Sequence, residues 1–213
     1  MTARSQPSGF AAELSATTRL AAPLALANLL QMLVHAIDVI FVARLGDSAL
    51  AASSLGVALF GLLVWTSSGL VGAVAPLIAA ELGRRNHAVR EVRRSVRMAL
   101  WLSVIVGIGA MGICMMGGWL MRLTGQPVEA TAQASGFLLI LMWAVIPMIA
   151  ASVLRIFVSA LGRPRIATAI TFAALFVNAL GNWTLVFGNL GMPALGLHGS
   201  ALSSVITSVA MLL

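Results

Sequence analysis

A single acidic side chain lies well inside an apolar stretch of this sequence, and it is the residue best suited to chemistry. Asp38 precedes Arg44 by six residues, a distance of about 9 Å along a helix. A carboxylate at such a depth in a membrane usually faces a bundle interior or an aqueous cavity, and it often belongs to an ion or proton pathway. We therefore predict that Asp38 acts in ion coupling or substrate binding. The alternative is a residue near a helix end that reaches interfacial water and pairs with Arg44.

Two asparagines form the second polar feature. Asn178 and Asn182 are four residues apart, so one face of a helix presents both amides. These amides can donate to a carboxylate, accept from a protonated acid or offer carbonyl oxygens to a cation. They fall in the outer half of their predicted helix, at a depth comparable with that of Asp38. The alternative role is hydrogen bonding between helices without transport chemistry.

Weaker polar signals surround these residues. His35 and Gln31 precede Asp38 by about one and two helical turns on the same face, and we predict that both line a cavity. For His35, a packed or water-exposed imidazole is an equal alternative. Hydroxyl side chains near the end of the sequence are better explained as small residues at helix contacts; these are Ser200, Ser203, Ser204 and Thr207.

Long apolar stretches must position these residues, and they predict an all-α membrane protein built as a bundle of six transmembrane helices. A spanning helix needs about 20 apolar residues, and the predicted helices cover about residues 20–43, 50–80, 98–120, 135–161, 166–187 and 199–213. Pro147 predicts a bend in the fourth. The sixth would span only about 22 Å of a core of about 30 Å, so we expect it to be cut short. Residues 1–19 are predicted to form a cytoplasmic segment, with a short interfacial helix as its candidate structure.

The charges orient this bundle. The 213 residues are 60% hydrophobic and 9% charged, a composition that suits lipid rather than water. Eleven of the thirteen arginines fall on one side of the predicted helices, so the positive-inside bias puts the amino terminus and the second and fourth loops in the cytoplasm. That bias explains the net charge of +7 without a nucleic-acid partner. Motifs of soluble enzymes are missing from the sequence, and we predict neither enzymatic activity nor a cofactor.

Several ordered motifs resemble those of the multidrug and toxic compound extrusion (MATE) transporters, and the pattern is most similar to the NorM-type bacterial branch. The resemblance begins with Pro23, Gln31 and the run from Ala36 to Val39, and it covers nearly the whole chain from Leu14 onward. The later motifs are Glu81-Leu82-Gly83-Arg84-Arg85-Asn86, Arg155-Ile156-Phe157, Gly162-Arg163-Pro164 and Asn178-Ala179-Leu180-Gly181-Asn182-Trp183.

The resemblance implies half of a larger molecule. Members of this family have twelve helices in two lobes around a central cavity, and this chain resembles the amino-terminal lobe, so a carboxy-terminal lobe is the expected partner. By the same resemblance, Asp38, Asn178 and Asn182 match a polar cluster that binds a proton or a sodium ion. Some relatives carry an acid at the position of Asn182, and the amide here leaves the identity of the ion open.

The function implied by this resemblance is antiport by alternating access in a bacterial inner membrane. A cationic or amphipathic compound would leave the cell in exchange for protons or sodium ions. Two alternatives remain open at this point. A flippase for a lipid-linked oligosaccharide predicts a cavity lined by many basic residues, whereas no arginine lies deep in a predicted helix. A membrane scaffold that does not transport predicts no loss of function when Asp38 is neutralised.

Overall fold

A computed structural model describes residues 10–73, 76, 88–161 and 163–212. These residues form helices and turns without a β-strand, which confirms the all-α prediction. The longer helices are α1 (Phe10–Ala43), α2 (Asp47–Gly72), α3 (Ala88–Met115), α5 (Val128–Leu141), α6 (Val145–Ala160), α7 (Pro164–Phe187) and α8 (Leu197–Ala210), and the short helix α4 covers Gly117–Leu123.

Helix α1 begins earlier than the boundary predicted at residue 20. It runs without a break from Phe10 to Ala43, 34 residues in all, because the stretch from residue 10 to residue 19 contains neither proline nor glycine. The described part of the amino-terminal segment therefore continues α1 and is not a separate helix. At about 1.5 Å per residue, α1 is roughly 50 Å long and exceeds a hydrocarbon core of about 30 Å.

The second and third predicted helices also differ from the structure at their ends. Helix α2 covers Asp47–Gly72 and α3 covers Ala88–Met115, whereas the sequence predicted residues 50–80 and 98–120. Of residues 74–80, only Pro76 is among the described residues. The chain turns at Met116 and continues as α4, which brings Gly117 against α5. A Cβ at Gly117 would lie 2.8 Å from Leu138 Cδ1, so glycine permits this close approach. The motif from Glu81 to Asn86 lies outside the described residues.

The fourth predicted helix is broken as Pro147 indicated. Helix α5 ends at Leu141, a single 3-10 turn covers Met142–Ala144, and α6 begins at Val145. Pro147 falls in the first turn of α6, where its missing N–H costs no helical hydrogen bond. The 3-10 turn thus interrupts the α-helical hydrogen bonding within one membrane-length segment.

A tight turn joins α7 to α8, at the position where the sequence predicted one. Gly188 ends α7 in the left-handed region at φ 76°, and a side chain there would collide with Ala194. The chain then returns, and the N–H of Leu195 donates to the carbonyl of Leu185 over 2.9 Å. Helix α8 starts at Leu197, beside the end of α7.

Five segments of the described chain are long and apolar enough to cross a membrane, with α5 and α6 together forming one of them. Helix α8 has 14 residues. Helix α1 packs along α7, which packs along α8, while α2 packs against α5 and α3 against α6. Fully buried apolar side chains such as Leu138, Val145 and Ile149 hold the second group together. Many large apolar side chains face outward, including Trp65 and Leu62, as suits contact with lipid.

Candidate ion-binding site

The structure brings Asp38 of α1 together with both asparagines of α7. Asn178 Nδ2 donates to Asp38 Oδ1 over 2.9 Å, and Asn182 Nδ2 donates to the same oxygen over 2.7 Å. Both asparagine side chains are fully buried, with 0% exposure, and Asp38 is half-buried. Helices α1 and α7 are therefore neighbours, whereas the sequence predicted only a comparable depth for Asp38 and the two asparagines.

A third helix completes the surroundings of the carboxylate. Ser204 of α8 donates from its hydroxyl to Asp38 Oδ2 over 3.3 Å. From the sequence alone, Ser204 is expected to be a packing residue, because serine in a membrane helix is common and carries no distinctive spacing. Its position in the network follows from the turn that lays α8 beside α7, which only the fold reveals.

Small residues allow α8 to approach α7 closely enough to make these contacts. A methyl group at Gly181 would collide with Ser203 Oγ, and one at Gly199 would collide with the carbonyl of Leu185. Ser203 Oγ donates to the carbonyl oxygen of Asn178 over 3.0 Å. The glycine beside Asn182 is thus part of what positions the site, in line with the small-residue contacts typical of membrane helices.

One acceptor in this network lacks a donor. Asn182 Nδ2 lies 3.1 Å from the carbonyl oxygen of Asn178 and 3.3 Å from Asn178 Oδ1, in addition to its bond to Asp38. Its own Oδ1 is buried and has no hydrogen-bond partner among the described residues. A buried acceptor without a partner costs about 1–3 kcal/mol, and either a cation or the O–H of a protonated carboxyl would remove that cost.

A pocket opens beside this network. It has a volume of about 80 Å³, enough for several water molecules. Its polar lining includes Gln31, His35, Asp38, Asn178 and Ser204, and its apolar lining includes Val34, Phe60 and Phe137. The two residues predicted to line a cavity, His35 and Gln31, therefore border the same pocket as Asp38, and the imidazole of His35 is exposed.

Gln31 also contacts an arginine of α6. Arg155 of α6 donates from its guanidinium to Gln31 Oε1 over 2.9 Å. Arg155 is half-buried and lies five residues before Ala160, the last residue of α6. Arg155 thus lies about 8 Å from the end of α6 along the helix axis. The sequence predicted a helix over residues 135–161 and therefore already put this arginine inside a helix, but its contact with Gln31 was not predicted.

The donors and acceptors of the site fit a monovalent ion better than a multivalent metal. The network holds one carboxylate, two amides and one hydroxyl. No group of three or more His, Cys, Asp or Glu side chains that could hold a metal ion occurs in the part of the chain that the structure describes. One negative charge with neutral oxygens suits a proton or a sodium ion.

Comparisons with known proteins agree on one family. The family model MatE matches residues 23–184. A probable multidrug resistance protein NorM from Mesorhizobium japonicum is 42% identical over 199 residues, which is 93% of this chain and 43% of the relative. A protein of the same name from Synechococcus is 37% identical over 92% of this chain and 42% of its own length.

Solved structures share the fold. The outward-facing conformation of a multidrug resistance MATE family transporter of the MOP superfamily superposes with a TM-score of 0.80 at 22% identity, over 91% of this chain and 42% of the other. A MOP superfamily transporter from Pyrococcus furiosus, described as having a binding pocket of reverse polarity, gives the same TM-score at 22% identity. The chain thus spans less than half the length of the relatives it matches, and with the family model covering most of its residues, it belongs to the MATE family.

Proposed function

We propose that this chain is the amino-terminal lobe of a secondary antiporter that exports cationic or amphipathic compounds in exchange for protons or sodium ions. The observation that carries the proposal is the position of Asp38, which three donors from two other helices hold at the edge of a pocket. An intramembrane carboxylate beside a cavity is typical of ion pathways. The NorM relatives are named probable multidrug resistance proteins, and these names support the proposed substrate class.

Ion binding changes the contacts that join α1 to α7 and α8. Hydrogen bonds to an ionised carboxylate are about twice as strong as bonds between neutral groups, so neutralising Asp38 weakens its bonds to Asn178 and Asn182. A proton on Asp38 supplies an O–H that Asn182 Oδ1 can accept after small rotations. A sodium ion would instead be held by the Asp38 carboxylate and the same amide oxygen. In either case the packing of α1 depends on whether Asp38 carries an uncompensated charge.

Alternating access then follows from competition at Asp38. A cationic substrate in the pocket favours the ionised carboxylate, whereas the incoming ion neutralises it, and each state favours a different packing of α1 against α7. Alternating access requires a second wall for the central cavity. We propose that a carboxy-terminal lobe is the partner that supplies this wall. Membrane lipid surrounds the remaining apolar surface.

The proposed orientation has the amino terminus in the cytoplasm of a bacterial cell, with the protein in the inner membrane. It rests on the distribution of arginines. Cysteines introduced at Asn86 and Asn189 are expected to react differently with an impermeant thiol reagent in whole cells, with labelling at Asn189 only. Labelling at Asn86 instead reverses the orientation.

The flippase alternative has less support from the pocket. A cavity for a lipid-linked oligosaccharide is expected to carry several basic residues, and the described residues that line this pocket include no arginine. Arg155 reaches the pocket only through Gln31.

Uptake of a fluorescent cation into everted vesicles, whose cytoplasmic face is outside, tests the proposal directly. The natural gene product is expected to move the dye when a pH gradient or a sodium gradient is applied, and one of the two gradients is expected to suffice. If neither gradient drives dye transport although the protein is correctly inserted, a flippase or a scaffold is the better-supported function.

A further inference from the structure

An open groove lies between α1 and α7, apart from the pocket beside Asp38. It has a volume of about 690 Å³. Four residues of each helix line it, and these are Ala22, Pro23, Leu26, Leu30, Arg165, Thr168, Ala169 and Phe172. None of them lines the pocket beside Asp38, so the groove is a separate surface of the lobe.

Hydrogen bonds between α1 and α7 fix the shape of this groove. Thr168 Oγ1 donates to the carbonyl oxygen of Pro23 over 2.8 Å. Farther along the same two helices, Asn178 donates to Asp38 over 2.9 Å. The two helices are therefore joined at two levels, and the apolar part of the groove lies beside the segment between them.

The chemistry of the lining changes along the groove. Of the described residues that line it, Arg165 alone carries a charge, and its side chain is exposed. Arg165 is the second residue of the span Pro164–Phe187, which puts its guanidinium near a membrane interface. Phe172 lies seven residues, or about 10 Å, deeper along α7. Phe172 and Leu26 are 52% and 50% exposed, so a ligand in the groove meets a cation at the interface and apolar side chains below it.

We propose that this groove binds an anionic phospholipid, with the phosphate at Arg165 and one acyl chain along Leu26 and Phe172. Charge complementarity selects this occupant, because a guanidinium matches the geometry of a phosphate. In the proposed orientation Arg165 faces the cytoplasmic leaflet, whose surface is anionic. A soluble phosphate would leave the apolar lining uncovered, and an apolar molecule would leave the charge without a partner.

The two parts of the groove have different effects on binding. An acyl chain already lies in hydrocarbon before it enters the groove, so the apolar lining positions the chain without a hydrophobic driving force. The charge of Arg165 therefore decides which headgroup is preferred. Each part is removed by one substitution at an exposed position, Arg165→Gln for the charge and Ala169→Phe for the space.

The test compares phosphatidylglycerol with phosphatidylcholine that carries the same acyl chains. Each lipid is titrated into the purified natural gene product in detergent, and bound lipid is measured by native mass spectrometry. The wild-type protein is expected to prefer phosphatidylglycerol. Arg165→Gln is expected to weaken binding of phosphatidylglycerol about fivefold, the factor that corresponds to one arginine at an anionic surface. Its binding of phosphatidylcholine is expected to change less than about twofold.

Filling the groove tests the position of the acyl chain. Ala169→Phe is expected to weaken binding of both lipids, and the smaller Ala169→Leu is expected to weaken both to a lesser extent. Arg97→Gln removes an exposed arginine of α3, and Ala58→Phe enlarges an exposed alanine of α2. Neither position lines the groove, so these two controls are expected to bind both lipids as the wild type does.

Several results would overturn the lipid site. Equal affinity of the wild type for the two lipids removes the role of Arg165, and an equal loss in Arg97→Gln indicates attraction to the basic surface as a whole. Unchanged binding in Ala169→Phe means that no acyl chain lies in the groove, as is expected if the second lobe covers it. Displacement of phosphatidylglycerol by glycerol 3-phosphate makes the groove a site for soluble phosphates.

The lipid site and the proposed antiport can fail separately. None of these binding measurements needs an ion gradient, and none of the substituted residues contacts Asp38. Selective binding of phosphatidylglycerol therefore supports the site even if neither gradient drives export.

Discussion

The lobe divides into two regions that differ in the chemistry of their buried side chains. Where α2, α3, α5 and α6 pack together, the fully buried side chains are mainly apolar, with Leu138, Val145 and Ile149 at the centre. Where α1, α7 and α8 meet, the fully buried side chains include Asn178, Asn182 and Ser203. Buried polar groups cost free energy unless they are hydrogen-bonded, and these three are bonded to Asp38 or to one another, although Asn182 Oδ1 has no partner among the described residues. The polar region carries the features of a site, and the apolar region supplies a framework for it.

The largest effect is expected from removing the charge of the polar region. Asp38→Asn retains the size of the side chain but removes its titratable and ion-binding carboxylate, so gradient-driven export is expected to fall to background at every pH tested. Asp47→Asn removes an exposed acid in the first turn of α2 and serves as the control. If Asp38→Asn exports substrate at the wild-type rate at matched expression, Asp38 is a structural or interfacial residue.

The next effect separates the two candidate ions. Asn182→Asp adds a second carboxylate next to Asp38, and two such charges require a neutralising cation between them. A proton-coupled protein is expected to shift its pH optimum for efflux upward, and a sodium-coupled protein is expected to change its apparent sodium affinity. Efflux measured over a grid of pH and sodium concentration distinguishes these results. If neither parameter changes, Asn182 has no part in ion binding.

A smaller effect is expected at the weakest contact of the site. Ser204→Ala removes a hydrogen bond of 3.3 Å to Asp38, and a typical bond contributes about 0.5–1.5 kcal/mol, so the apparent affinity for the coupling ion is expected to fall a few-fold. Ser54→Ala removes an exposed hydroxyl that bonds only within α2 and is the matched control. If the two substitutions change the apparent ion affinity equally, Ser204 is a packing residue and not part of the ion site.

The apolar region is expected to give the smallest effect on transport. Ile149→Val removes one methylene from a fully buried side chain and costs about 0.5–1.5 kcal/mol of stability. Thermal unfolding in detergent is expected to register this loss, while efflux per folded molecule stays at the wild-type rate. A change in ion affinity in Ile149→Val contradicts the division into framework and site.

The sequence alone predicted the residues whose types are rare in a membrane. Asp38, Asn178 and Asn182 stand out because few polar side chains occur in the apolar stretches, and helical spacing alone put both asparagines on one face. Ser204 did not stand out, because its contact depends on a tight turn and on close packing at Gly181. The contact between Arg155 and Gln31 did not stand out either, because it joins two helices whose packing a single sequence does not give.

Helix ends were the least predictable part of the fold. The break before α6 followed from Pro147, whose ring has a local effect on the backbone. The early start of α1 is permitted by the lack of proline and glycine in residues 10–19, but no single residue marks Phe10 as the start. The turn before α4 likewise has no signal as local as a proline.

Displacement of the coupling ion by substrate tests the central claim most directly. A cationic dye is added to the purified natural gene product in weakly buffered detergent solution, and released protons are followed with a pH indicator while released sodium is followed with a sodium electrode. The wild-type protein and Asp47→Asn are expected to release one of these ions in proportion to dye bound, and Asp38→Asn is expected to release neither. Equal release of the same ion by Asp38→Asn would contradict the assignment of Asp38 as the group that couples ion binding to export.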